Sequence, residues 1–165
     1  MARRFLFLFA LIFFFSISAK AQGSMDLFGG YSFERLRTSP SRNLNGVEIT
    51  GQYKLHEWLG IAADLDGQFG LPSSPDGRTL HFMAGPQFSF PGRLSPFAHA
   101  LVGVGHISFN GIANTSVSAA IGGGVDLRIL PLISWRVVQA DDVITHFFGG
   151  VQHSPRISTG LVFRF

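Results

Sequence analysis

From Gly23 onward, apolar and polar residues alternate with a period of two, and clusters of Gly, Pro, Ser and Asn interrupt the alternation. A two-residue period sends successive side chains to opposite faces, so the pattern predicts strands and no helix. Residues 46–55 set Val47, Ile49, Gly51, Tyr53 and Leu55 against Glu48, Thr50, Gln52 and Lys54. Residues 59–69 set Leu59, Ile61, Leu65 and Phe69 against Asp64, Asp66 and Gln68. Residues 80–90, 117–129 and 156–165 alternate as cleanly. Three further segments are less regular. Residues 26–33 put Leu27, Gly29, Tyr31 and Phe33 on one face, and residues 97–109 are Gly-rich and ambiguous in phase. Residues 135–145 lose phase after Val137, because Gln139 and Asp141 share the parity of Trp135. A β-bulge near 138–140 restores it.

Eight segments of about ten residues match the strand number and length of a small membrane barrel. The expected fold is all-β: an eight-stranded antiparallel up-and-down transmembrane β-barrel. The connections alternate in expected length. Residues 55–58, 91–95 and 130–134 read as tight turns, and residues 34–45, 70–78, 107–115 and 146–155 as longer loops. Short turns at one end and long loops at the other are the periplasmic and extracellular ends of such barrels. Aromatic residues gather in two belts, as at the two interfaces of a membrane. Tyr53, Trp58, Phe88, Phe90, Phe97, Trp135, Phe163 and Phe165 fall near the turns, and Phe33, Phe69, Phe82, Phe109, Phe147 and Phe148 near the loops.

The first residues break this pattern. Arg3 and Arg4 precede an apolar run over 5–17, and Ala19-Lys20-Ala21 supplies small residues where a signal peptidase reads. The run is shorter than the roughly 20 residues of a membrane-spanning helix. The expected division is a cleaved signal peptide at 1–21 and a barrel domain at 22–165, exported by the secretory route. Losing Arg3, Arg4 and Lys20 reduces thirteen basic residues to ten, equal to the ten acidic ones. Near neutrality and the lack of a basic run remove nucleic acid as a partner. There is no cysteine, so disulfides and thiolate metal sites are excluded. Charged residues make up 14% of the chain, against about 25% in soluble domains. That is too little charge to cover a water-facing surface, which favours a lipid-facing exterior.

The polar face then lines the lumen with Glu48, Lys54, Asp64, Asp66, His81, His99, Asp126, Arg128, Arg136, Arg156 and Arg164. Eight strands leave a space that side chains nearly fill. Buried charges of both signs must pair, so a salt-bridge network plugging the lumen is expected. Chemical candidates are few. His106 and Ser108 lie two apart, a spacing found in lipid-A-modifying barrels, but a nucleophilic Ser needs a base and a group to orient it, and the nearest acids are Asp126 and Asp141. The six histidines show no paired ligand spacing, although His146 and His153 share the fourth loop. No catalytic residue, cofactor or metal site is expected.

The chain ends Ser158-Thr159-Gly160-Leu161-Val162-Phe163-Arg164-Phe165. This resembles the C-terminal signal read by the barrel assembly machinery: a polar residue, then Gly, an aromatic and a terminal Phe at fixed spacing. Ser158, Gly160, Phe163 and Phe165 occupy those places. Residues 26–32 and 95–100 look like the first and fifth strands of the small outer-membrane β-barrel family typified by the OmpA transmembrane domain and OmpX. The likeness spans roughly residues 25–165 and implies a fold and an address in the outer membrane more than an activity. The expected role is therefore a non-enzymatic structural or surface-interaction protein. It would sit in the outer-membrane bilayer and present four extracellular loops to a partner the sequence does not name. The alternatives are a small-solute channel, a lipid-A acyl hydrolase using Ser108 and His106, and a soluble secreted barrel holding an apolar ligand.

Overall fold

The computed structural model describes residues 24–36, 42–70, 77–109, 112–146 and 150–165. The signal segment, and Phe147 and Phe148 of the loop-side belt, lie outside them. Eight strands run in order: β1 (Met25–Leu36), β2 (Arg42–Lys54), β3 (Leu59–Gly70), β4 (Gly77–Ser89), β5 (Leu94–Phe109), β6 (Ile112–Leu130), β7 (Ile133–Thr145) and β8 (Gln152–Arg164). Each pairs antiparallel with the next, and β8 returns to β1, so the sheet closes into a barrel. At this seam Glu34 stands opposite Arg156, and the backbones of Met25 and Phe165 exchange hydrogen bonds of 3.1 and 2.8 Å. Closure pairs backbone groups that an open edge would leave bare, the condition for strands to survive in hydrocarbon.

The alternation sorts the faces as the sequence reading expects. Val47, Val102 and Ile121 point outward at 59%, 66% and 60% exposure, while Glu48, Asp66 and Arg156 are fully buried inside. Such a continuous apolar exterior far exceeds the few hundred Å² a soluble protein exposes. A barrel turned the other way, apolar inside around a ligand, is thereby excluded. Trp58 stacks on Phe88 at 6.1 Å on the exterior near the turns, with Phe90, Trp135 and Phe163 also outward.

The phase of β7 is restored by a bulge, as expected, at Val137–Val138: both valines face out, and Gln139, Asp141, Val143 and Thr145 face in. Two expectations need correction. Phe97 is not part of the turn-side belt. It points into the lumen, 6% exposed, as does Phe28. The loops are also shorter than expected, because the strands run on. Only residues 37–41, 71–76, 110–111 and 146–151 separate them, against 55–58, 90–93 and 131–132 at the other end. In the third loop Phe109 pairs with Ile112 across Asn110-Gly111, a dipeptide that itself signals a two-residue hairpin. The resulting β5 and β6 have 16 and 19 residues, well beyond what crosses a bilayer.

Candidate functional site

The lumen holds nearly all the buried charge. At its turn end, Lys54 Nζ lies 2.7 Å from Asp26 Oδ2, and Arg164 approaches the same carboxylate at 3.9 Å. Arg128 lines the vestibule that opens there. Just above, Arg136 donates to both oxygens of Asp126, at 2.8 and 3.3 Å, and to Gln139 Oε1 at 2.7 Å. Its guanidinium also lies between two rings, 4.3 Å from the centre of Phe28 and 4.1 Å from that of Phe97. Two glycines make this clamp possible. A Cβ at Gly30 would run into the Phe28 ring and the Thr159 carbonyl, and one at Gly124 into the Phe97 ring and the Val138 carbonyl.

Further in, Arg156 is the hub. It donates to Asp141 at 2.7 and 3.1 Å and to Asp64 at 3.0 Å, with Asp66 at 3.6 Å and Glu48 at 3.8 Å. Gln139 Nε2 donates to Glu48 and Asp141, Thr50 donates to Asp64, and Ser158 donates to Glu48. His99 meets Asp141 at 2.9 Å, and His81 meets Asp66 at 2.8 Å. A guanidinium offers five donors in one plane, and here they serve carboxylates from three other strands.

Apolar side chains fill the remaining space. Ala62, Met83, Leu101, Ala120 and Val143 pack together on the β3–β7 side. Leu36, Leu44 and Ile107 meet across the lumen toward the loop end. The Arg136 clamp lies toward the turn end of the lumen and these three buried side chains toward the loop end, with the ion network between them.

All eleven charged and histidine residues assigned to the lumen from sequence lie on inward positions of their strands, with Arg128 at the open end. The sequence reading missed Asp26, Glu34 and Asp141. The parity of β1, fixed by Leu27 and Tyr31 on the outside, already pointed Asp26 and Glu34 inward, and the bulge does the same for Asp141. It also missed a grouping: Glu34 of β1, Asp66 of β3 and His81 of β4 converge, although they lie far apart in sequence.

His106 and Ser108 face outward on β5. His106 Nδ1 meets Thr115 Oγ1 at 2.8 Å, whereas Asp126 and Asp141 are buried inside the wall and cannot orient it. His153 pairs with Asp142 at 2.7 Å rather than with His146. The candidate assembly residues divide between faces. Ser158 and Gly160 point inward, Ser158 onto Glu48 and Gly160 against Gly30, while Phe163 and Phe165 point outward.

No family model matches the chain, and no curated protein matches its sequence. Solved structures do share its fold. Neisserial surface protein A superposes with a TM-score of 0.69 at 17% identity, over 88% of this chain and all of that one. Ail, the attachment invasion locus protein of Yersinia pestis, gives 0.61 at 19% identity, over 88% of this chain and all of that one. The N-terminal β-barrel domain of OprF from Pseudomonas aeruginosa gives 0.53 at 15% identity, over 87% and 100%. The fold is thus that of the small eight-stranded outer-membrane barrels.

Proposed function

We propose that this chain is an outer-membrane surface protein that acts at its loop rim and not through its lumen. In this reading segment 1–21 directs export, and Ser158, Gly160, Phe163 and Phe165 form the signal that hands the chain to the barrel assembly machinery. The bilayer is its standing partner, and a surface partner engages the loop end. One observation carries the argument: the lumen is closed by a buried ion network and by Leu36, Leu44 and Ile107. A pore would need wet, separable charges along its length, whereas these are buried and most of them are held in ion pairs or hydrogen bonds. Two proteins of this fold are named a surface protein and an attachment invasion locus protein, and a surface role is carried to this chain on that likeness as part of the proposal.

The test is conductance of the refolded protein in a planar bilayer. We expect no sustained ion-conducting steps above the lipid baseline, and a steadily open channel would overturn the reading. Deleting Phe165 is expected to reduce the heat-modifiable, membrane-inserted form in cells. Insertion at the level of the intact protein would remove Phe165 from the assembly signal.

A further inference from the structure

Five carboxylates meet in the middle and loop-side lumen: Glu34, Glu48, Asp64, Asp66 and Asp141, none more than 5% exposed. Among the described residues they face the guanidinium of Arg156 and the imidazoles of His81 and His99. Carboxylates outnumber cations here even with both imidazoles protonated. Buried charge without a counter-charge is expensive, so the surplus calls for a cation or a proton.

The deficit is localised. Glu48, Asp64, Asp66 and Asp141 each accept hydrogen bonds from neighbouring side chains. Glu34 is as fully buried, yet neither of its oxygens has a partner. His81 Nε2 and Gln68 Oε1 are buried and unpartnered as well. A ligand atom from each of Glu34, Asp66 and His81 lies within 4.8 Å of the others. Zinc holds carboxylate oxygens and imidazole nitrogens at about 2.0–2.2 Å, so closing this triangle takes a shift of roughly 1 Å. Gln68, whose amide nitrogen bonds Asp66 at 2.5 Å, stands beside the set as a further oxygen donor.

The geometry points to a buried site for a divalent first-row transition-metal ion, with Zn²⁺ as the type, held by Glu34, Asp66 and His81. Two carboxylates with an imidazole suit zinc, manganese or iron better than calcium, which takes six or more oxygens. With His81 neutral as a ligand, the ion lowers the surplus by two charges without cancelling it, and it ties β1 to β3 and β4 across the lumen. Leu36 and Leu44 lie beside Glu34 on the loop side, so the ion enters as the barrel folds and exchanges slowly afterwards.

The experiment is to refold the full barrel into detergent with Zn²⁺, strip loosely held metal with a chelator, and measure metal per folded chain. The wild-type protein is expected to keep about one ion, and Glu34→Gln, which preserves shape, to keep roughly a tenth or less, since losing even a group that only supports a ligand costs about 10–100-fold in metal affinity. His81→Gln tests the same site from β4 should Glu34→Gln fail to insert. Co²⁺ replaces Zn²⁺ as a probe that needs no variant. Visible bands of an imidazole-containing site, bleached by added Zn²⁺, support the proposal. Retention that is equal in wild type and variants means capture by outer histidines such as His106 or His153 and overturns it, as does a wild-type barrel that retains no metal.

Discussion

Arg136 and Arg156 are both buried in the same lumen, on the adjacent strands β7 and β8, and they are neutralised in opposite ways. Arg136 has one carboxylate, one amide and two aromatic faces. Arg156 has no aromatic ring stacked on it among the described residues and is shared by four carboxylates. The first is a local clamp in which charge and ring quadrupole divide the work. The second is a charge balance for a whole layer of the barrel. Removing the first leaves one acid unpaired, and removing the second leaves several.

Three substitutions probe that difference, each read from the urea midpoint of the refolded barrel. Arg156→Met is expected to cost the most, about 3–5 kcal/mol, because one change strips the counter-charge from a buried cluster. A loss below that of Arg136→Met would break the comparison. Arg136→Met is expected to cost about 1.5–3 kcal/mol, the range for hydrogen bonds to a charged group, since Asp126 sits near the vestibule and can take up water. Phe97→Leu keeps the salt bridge and removes one ring, so a loss of about 1–2 kcal/mol is expected from the cation–π contact. The same change should leave the stability of an Arg136→Met barrel nearly untouched, and full additivity would show that the ring packs without acting on the charge.

The strands and their faces were legible in the sequence because lipid outside and ion pairs inside impose opposite polarity on alternate residues. That logic places Ile121 and Arg156 without any knowledge of contacts. It fails where both faces are apolar or small. In β5, Phe97, Leu101 and Ile107 point inward while Ala98, Ala100 and Val102 point outward, so polarity carried no phase there. Loop length was misjudged for a related reason. Turn residues such as Asn110-Gly111 mark a connection, but Ile112, Thr115 and Val117 keep pairing with β5 past the region that hydrophobicity marks. The convergence of Glu34, Asp66 and His81 was beyond the pattern altogether. It arises from closure and strand tilt, which bring distant residues to one height, and alternation specifies only which way each side chain points.

The seam between β1 and β8 has a consequence for the order of folding. It joins the first strand to the last, the most distant pairing in the chain, and such contacts form late because the intervening chain must be gathered first. Arg156 sits on the last strand, directly across the seam from Glu34. Until β8 docks, the acids of β2, β3 and β7 have collected without their main counter-ion. Once it docks, Arg156 grips Asp64 and Asp141 across the lumen. The hub therefore acts as a latch that engages only on a completed barrel. Interactions absent from the transition state slow unfolding more than they speed folding, so its main effect is on the lifetime of the finished protein.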